Sequence, residues 1–311
     1  MHVRVFYCDH FVLPLPPDHS FPMAKYRLTR ERLVDDGVID PLDVVEACAV
    51  PWDLLRLAHT AEYVEAVRTG TVPREIQRRI GFPWSPEMAE RARRSVGATI
   101  QAGREALDSP LGVSANLAGG THHAFADRGE GFCVFNDVAV ATRLLVAEGR
   151  VARVAVIDCD VHQGNGTAAI FVDDPSVFTF SMHGANNYPF RKETSDLDVV
   201  FADGTGDAEY LEALSRHVPE LLASHRPDLV FYLAGADPYE GDRWGRLKLT
   251  FEGLRQRDAI VLNTCRAADV PVAITMAGGY ARDVEAIVRI HTATICEAVI
   301  ASGHSDRVGQ R

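Results

Sequence analysis

The hydrophobic residues of this chain fall into short continuous runs, separated by longer segments with hydrophobic residues at helical spacing. The continuous runs comprise residues 151–157, 177–182, 228–234 and 270–276. The helical segments comprise residues 86–107, 136–146, 208–224, 254–268 and 284–300. Apolar runs without alternation are typical of strands buried on both faces, and strands alternating with helices favour a parallel sheet. The pattern predicts an α/β fold: a parallel β-sheet flanked by helices on both faces.

Length and composition give no reason to divide this fold. The chain has 311 residues, 47% of them hydrophobic, which is ample for one packed core. We therefore expect one domain over residues 1–311. The sequence shows no charged-then-apolar leader and no run of about 18 apolar residues, which argues against secretion and a membrane span. The six cysteines form no Cys-x-x-Cys pair, so we expect a reducing cytoplasm rather than a disulfide framework.

Charge narrows the range of partners. The chain carries 32 Lys and Arg against 43 Asp and Glu, a formal net charge of −11. This balance argues against direct nucleic-acid binding and is compatible with a cationic substrate. Bulk charge says little about the charge of any one pocket.

Residues 151–166 stand out because an apolar run ends abruptly in acids, a histidine and glycines. If the chain stays extended there, Asp158, Asp160 and His162 project to the same side. Asp-x-His suits a divalent metal, because carboxylate oxygen and imidazole nitrogen are both zinc ligands. Alone, such a pair is more often a hydrogen-bonded turn. Asp237 offers a third ligand, because it follows another strand and the carboxyl ends of parallel strands lie together.

Two further strand ends carry residues suited to acid–base chemistry. His122 and His123 lie in a glycine-rich turn, and imidazole titrates near neutral pH. As an isolated pair, they are more often loop residues without a role. Tyr280 follows two glycines after the run at 270–276. The four strand ends together are far more specific than any one of them.

In this combination the sequence resembles the histone deacetylase family, over nearly the whole chain from residue 19 to residue 280. The motifs that carry the resemblance are Gly-Gly-Thr-His-His at 119–123, Gly-Phe-Cys at 131–133, Asp-Cys-Asp-Val-His-Gln-Gly-Asn-Gly at 158–166, Gly-Ala-Asp at 235–237 and Gly-Gly-Tyr at 278–280. Two details resemble the class IV branch and its bacterial relatives: Gln163 with Asn165, and the segment Glu-Gly-Asp-Arg-x-Gly at 240–245.

The resemblance implies an arginase-like fold and one zinc ion per chain, held by Asp160, His162 and Asp237. It implies that His123 or His122 takes a proton from water and returns one to the leaving amine. Which of the two histidines is the final acid stays open.

Further roles follow from the same resemblance. Tyr280 donates a hydrogen bond to the oxyanion, and Asp158 orients His122. Asn165 stands behind His123, where the larger classes have an aspartate, so a lower pKa is expected for that histidine. A structural potassium ion is implied at Asp158, Ser181, Met182 and the main-chain oxygens of Asp160 and His162. The walls of a narrow acyl-lysine channel are implied at Gly131, Phe132 and Tyr188, with Phe190 as a further candidate.

The resulting hypothesis is a zinc-dependent amidohydrolase that removes an acetyl or longer fatty acyl group from lysine side chains of a protein or peptide. A small acyl-amine such as an acetylated polyamine is the alternative substrate. A catalytically weak acyl-lysine binding module is disfavoured, because a binder needs no oxyanion donor. A two-manganese, arginase-like centre is disfavoured, because only one Asp-x-His set is present.

Overall fold

The structure, a computed structural model, describes residues 3–13, 15–16 and 19–303. Its described part contains one sheet of eight strands, all pairing in parallel. The strands are β1 Arg4–Tyr7, β2 Val44–Glu46, β3 Val113–Asn116, β4 Val154–Asp158, β5 Val177–Gly184, β6 Leu197–Phe201, β7 Leu229–Leu233 and β8 Val272–Thr275. Their order across the sheet is β2-β1-β3-β8-β7-β4-β5-β6.

Helices connect the strands and cover both faces of the sheet. They are α1 Ala24–Asp35, α2 Trp52–Leu55, α3 Ala61–Thr69, α4 Arg74–Ile80, α5 Pro86–Asp108, α6 Asp137–Ala147, α7 Asn165–Phe171, α8 Asp207–His225, α9 Phe251–Ala267 and α10 Val284–Ala301, with a short 3-10 turn at Pro41–Asp43. The long helix α5 begins where the side chain of Ser85 accepts a hydrogen bond from the N–H of Met88, with Pro86 in the first turn. No helix among the described residues is long and apolar enough to cross a membrane.

The core consists of two apolar layers, one on each face of the sheet. In β4, Val154 and Val156 contribute to one layer, whereas Ala155 and Ile157 contribute to the other. All five residues of β4 are buried, because successive side chains of a strand point to opposite faces and both faces are covered. This confirms the predicted fold class.

Two features of the structure depart from the sequence pattern. Residues 186–206 show no clear periodicity in the sequence, yet Leu197–Phe201 forms β6 at the edge of the sheet. Most of its side chains are partly exposed, so the strand lacks the apolar run that marks a buried one. The chain also does not stay extended beyond β4, because the strand ends at Asp158 and a turn follows.

Candidate active site

Four adjacent strands bring the predicted site residues to one edge of the sheet. The neighbours are β3, β8, β7 and β4, and the segments that leave their carboxyl ends contain His122 and His123, Tyr280, Asp237, and Asp158 to His162 respectively. Ligand sites of open α/β sheets lie at this end of the strands.

Asp160, His162 and Asp237 form a buried group, here called the acidic cluster. One potential ligand atom from each lies within 4.8 Å of the others. The Nδ1 atom of His162 is 2.9 Å from Asp160 Oδ1 and 3.1 Å from Asp237 Oδ2. Two carboxylates therefore face one imidazole nitrogen.

Main-chain N–H groups hold these carboxylates in place. The N–H of Gly278 donates to Asp160 Oδ2 at 2.8 Å, and the N–H of Val161 donates to Asp237 Oδ1 at 2.9 Å. A Cβ atom on Gly278 would lie 2.0 Å from Asp237 Oδ2. Only glycine allows the backbone to approach the cluster this closely, which explains the Gly-Gly pair before Tyr280.

The charges of the acidic cluster are those of a cation site. Burial and the neighbouring Asp160 raise the pKa of Asp237 to about 7, because both disfavour a second negative charge. Burial disfavours the charged form of His162, but hydrogen bonds to Asp160 and Asp237 outweigh it and raise its pKa to about 10. Two oxygen donors and one imidazole nitrogen are a zinc-type ligand set, so the residues present fit a divalent ion.

Asp158 does not join the acidic cluster, although extended alternation would have put it there. Its Oδ1 accepts the N–H of Asp160 at 3.1 Å, which closes the turn after β4. Its Oδ2 lies 2.6 Å from His122 Nδ1. The carboxylate therefore orients a histidine, as the family resemblance implies.

The pKa values of the paired histidines are shifted in opposite directions. Burial opposes protonation of His122, but the carboxylates of Asp158 and Asp160 outweigh it and raise its pKa to about 9. Burial and the nearby His122 and His162 hold the pKa of His123 well below its usual range. The ring of His123 contacts Asn165 instead of a carboxylate, with Nδ1 2.7 Å from Oδ1. One histidine is therefore suited to a cationic role and the other to a neutral one.

Glu130 completes this arrangement and has no counterpart in the predicted site. The amide nitrogen of Asn165 donates to Glu130 Oε1 at 2.7 Å, and Glu130 itself is buried. Because a carboxylate only accepts hydrogen bonds, the amide must turn its oxygen toward His123. The Nδ1 atom of His123 then carries the proton. The sole sequence signal was the position of Glu130 directly before the Gly-Phe-Cys motif.

Tyr280 lies beside the acidic cluster, with its ring centre 6.3 Å from that of His162. Its main-chain N–H donates to Asp242 Oδ2 at 2.7 Å. Lys25, fully buried, donates to the carbonyl oxygens of Ala277 and Gly279 at 3.3 Å each. Lys25 thus fixes the turn that presents Tyr280, and burial lowers its pKa to about 8. No role for Lys25 was predicted from the sequence.

A pocket of about 730 Å³ leads from the surface to His123, His162 and Tyr280. The predicted channel residues Gly131, Phe132 and Tyr188 line it, as does Phe190. Trp244 is a further wall that the sequence did not indicate, and its ring stacks on Phe132 with centres 5.8 Å apart.

The backbone adopts an unusual conformation at Phe132, which lines the channel. Gly131 and Phe132 both have positive φ values, 57° and 64°. Such a value is uncommon for a bulky residue and places strain at this point of the chain. Phe132 packs against Phe21 and Phe82, with ring centres 5.1 Å away in each case.

Three of the predicted potassium ligands, Asp158, Ser181 and Met182, lie on β4 and β5, whereas Asp160 and His162 lie in the turn that follows β4. Asp158 and Ser181 face each other in register on these strands. The hydroxyl of Ser181 is 3.0 Å from His183 Nδ1. Met182 is fully buried in the core.

Comparison with known proteins identifies the family. The family model for the histone deacetylase domain matches residues 19–295. An uncharacterized protein of Picosynechococcus sp. is 46% identical over 292 residues, which cover 94% of this chain and 97% of that protein. Histone deacetylase 2 of Arabidopsis thaliana is 30% identical over 271 residues, which cover 84% of this chain and 70% of that protein.

A crystal structure gives the same result. The structure of an HDAC homolog complexed with SAHA matches with a TM-score of 0.82 and 25% identity, over 98% of this chain and 85% of that one. Family model, sequence relatives and fold agree with the resemblance carried by the strand-end motifs. The chain belongs to the histone deacetylase family.

Proposed function

We propose that this protein is a zinc-dependent amidohydrolase that removes an acetyl or longer fatty acyl group from lysine side chains. The observation that supports this most strongly is the acidic cluster, which lies beside two histidines of opposite charge preference and a tyrosine. His123, His162 and Tyr280 line an aromatic-walled pocket, and His122 and Asp160 line a smaller cavity that shares these three residues. Deacetylase-like activity is the activity of the family.

The acidic cluster is the proposed metal site. One zinc ion held by Asp160, His162 and Asp237 would polarise the amide carbonyl and make a bound water more acidic. Main-chain N–H groups of neighbouring turns hold both carboxylates, and His162 Nδ1 lies within 3.1 Å of each of them. This preorganisation supports tight binding.

His123 is the proposed general base. It lines the large pocket, whereas His122 lies deeper. Because Asn165 and Glu130 place the proton of His123 on Nδ1, the Nε2 atom keeps a free electron pair. That atom accepts a proton from water and then returns it to the leaving amine. His122, held as a cation by Asp158, stabilises the negative charge that develops nearby.

Tyr280 is the proposed oxyanion donor. Burial and the negative charges of Asp160 and Asp237 raise the pKa of its hydroxyl well above the usual range. The hydroxyl therefore keeps its proton at neutral pH and donates it in a hydrogen bond to the tetrahedral oxygen.

The space around the reacting groups supports a short acyl group. A small cavity of about 40 Å³ touches both histidines, Asp160 and Tyr280, and a neighbouring cavity of about 60 Å³ lies behind Phe132. Both are small compared with the pocket of about 730 Å³. Their size favours a short acyl group such as acetyl over a long chain.

The test is amine release from three substrates by zinc-reconstituted protein: an acetyl-lysine peptide, a long-chain acyl-lysine peptide and an acetylated polyamine. Tyr280→Phe serves as the matched variant. Release from a lysine peptide by the wild type and its loss in the variant, with zinc still bound, supports the proposal. Release from the polyamine alone replaces the substrate assignment, and no release from any substrate refutes the hydrolase.

A further inference from the structure

The entrance of the active-site pocket has a charge opposite to that of the whole chain. The chain carries a net charge of −11. Three arginines line the pocket, Arg79, Arg243 and Arg246, and none of the lining residues among those described is Asp or Glu. We call these arginines, with Phe190 and Trp244, the mouth.

Two of the mouth arginines have acidic partners that lie outside the pocket. Arg79 pairs with Glu75 at 2.6 Å and Arg246 with Asp203 at 3.0 Å. Arg243 has no carboxylate within 4.0 Å among the described residues, and its guanidinium carbon is 5.6 Å from the ring centre of Trp244. The mouth thus presents at least one uncompensated positive charge at the rim, with no acid in its lining.

A buttressed loop carries the aromatic part of the mouth. Phe190 is 87% exposed, which is unusual for so large an apolar side chain. The ammonium of Lys192 donates to the carbonyl oxygens of Asn187 at 2.6 Å and Pro189 at 2.5 Å, which ties the loop together. The loop therefore offers a fixed apolar surface beside the positive charges.

We propose that the mouth selects acyl-lysine residues that lie in acidic protein segments, with Asp or Glu on either side, and disfavours acetylated polyamines. This inference rests on the proposed deacylase function. An acidic flank meets guanidinium groups with complementary charge, whereas a polyamine brings further cations toward a pocket lining that holds three arginines and, among the described residues, no Asp or Glu. Phe190 and Trp244 supply contact area for the peptide, since aromatic residues and arginine are the side chains that dominate recognition surfaces.

The experiment compares three peptides that share one central acetyl-lysine and differ only in the flanking residues: acidic, neutral or basic. We expect kcat/KM to be highest for the acidic peptide and lowest for the basic one, with a ratio of roughly tenfold at low salt. The ratio should shrink toward one as salt screens the charges. Acetylated spermidine should be a poorer substrate than the neutral peptide.

Arg243→Glu is the decisive variant. It should reverse the order of the acidic and basic peptides, whereas Arg216→Glu should leave the order unchanged. Arg216 is an exposed arginine on α8 that pairs with Glu212 and lies outside the mouth, so it controls for the change in net charge. Equal kcat/KM for the three peptides, or an unchanged order in Arg243→Glu, would overturn the inference.

Binding separates this inference from the proposed function. Fluorescence anisotropy of the labelled peptides on the Tyr280→Phe protein measures selection without turnover. Tighter binding of the acidic peptide supports the mouth even if no hydrolysis occurs, and equal binding overturns it. The last measurement is binding of the protein to vesicles of anionic phosphatidylglycerol. If they bind the wild type but not Arg243→Glu while the peptides bind equally, the mouth docks on lipid and the peptide assignment is wrong.

Discussion

The acidic cluster and the ion pair between Arg257 and Asp258 are both buried, and they differ in how their charges are balanced. Arg257 is fully buried, and its Nε donates to Asp258 Oδ1 at 2.9 Å. The same carboxylate accepts hydrogen bonds from the hydroxyls of Tyr232 and Thr294 at 2.5 and 2.6 Å. Here one positive charge meets one negative charge. In the acidic cluster, two carboxylates meet one imidazole.

This difference separates a stabilising network from a binding site. Arg257 also donates to the carbonyl oxygens of Cys159 and Gly235, so it holds the turns that carry Asp160 and Asp237. A balanced ion pair is complete within the folded chain, whereas an excess of buried negative charge calls for a cation. The first cluster should therefore matter to folding and the second to metal binding.

The largest effect should come from removing a ligand of the acidic cluster. We expect Asp237→Ala to lose its zinc and to release amine more than about 1000-fold more slowly, because the metal supplies several kcal/mol of transition-state stabilisation. Zinc should raise the Tm of the wild type but not that of the variant, because a ligand stabilises only the state that binds it. Metal analysis, calorimetry and amine release measure these changes.

The control for this variant is Glu212→Gln, which removes a carboxylate from an exposed surface pair. It should keep one zinc per chain, the zinc-dependent shift in Tm and its activity. If Asp237→Ala also kept all three, the acidic cluster would not be the metal site.

Removing the cation of the ion pair should lower stability rather than metal binding. We expect Arg257→Leu to lower the free energy of unfolding by about 3–5 kcal/mol, because it leaves the buried Asp258 without its cation. The protein that remains folded should still bind one zinc, because the N–H groups of Val161 and Gly278 still hold Asp237 and Asp160. Urea unfolding and metal analysis test both statements. Arg216→Leu, at an exposed pair, should cost at most about 1 kcal/mol, and an equal loss in both variants would contradict the contrast.

Two tyrosines extend this contrast, because Tyr280 lies beside the acidic cluster and Tyr232 donates a hydrogen bond to Asp258 of the ion pair. Tyr280→Phe should lower kcat by about 100- to 1000-fold, equivalent to about 2.7–4 kcal/mol, because it removes the proposed oxyanion donor. It should leave the free energy of unfolding unchanged. Tyr232→Phe should instead lower the free energy of unfolding by about 1.5–3 kcal/mol, the value of a hydrogen bond to a charged group, and keep its kcat. Kinetics and urea unfolding of both variants test this. A loss of stability in Tyr280→Phe or a loss of kcat in Tyr232→Phe would contradict the prediction.

The sequence predicted the fold well because most strands are buried on both faces. Such strands must be continuously apolar, and this leaves a pattern that can be read without tertiary information. Strand β6 escaped notice because it lies at the sheet edge and its side chains, such as Val200 at 55% exposure, meet solvent. The edge position of β6 depends on how the whole sheet assembles, so the local sequence pattern does not indicate it.

The sequence predicted the functional residues that lie in motifs directly after strands. It did not predict those that act on the site from remote positions in the sequence. The structure brings together the acidic cluster, the histidine pair and Tyr280, all of which follow strands directly. Glu130 and Lys25 act across the fold, on Asn165 and on the turn before Tyr280, and neither has a local signature. The mouth was also not predictable from the sequence, because net charge does not indicate how a few arginines are arranged around one pocket.

The smallest effect concerns His123, which reaches a carboxylate only through the neutral Asn165, whereas His122 contacts Asp158 directly. In Glu130→Ala the amide of Asn165 is free to turn and offer its NH₂ to His123, which moves the histidine proton to Nε2, where the base is needed. We expect kcat to fall about tenfold with KM unchanged, because one hydrogen bond contributes about 0.5–1.5 kcal/mol. Glu130→Gln keeps an acceptor for Asn165 and should retain most of the rate.

Nitrogen NMR of ¹⁵N-histidine-labelled protein distinguishes this positioning effect from a general loss of structure. The His123 signals should show the Nδ1–H tautomer in the wild type and in Glu130→Gln, and the Nε2–H tautomer in Glu130→Ala. A merely structural role would lower Tm in both variants and leave the tautomer unchanged. If all three proteins shared one tautomer and one kcat, Glu130 would not position His123, and Asn165 alone would set the state of the base.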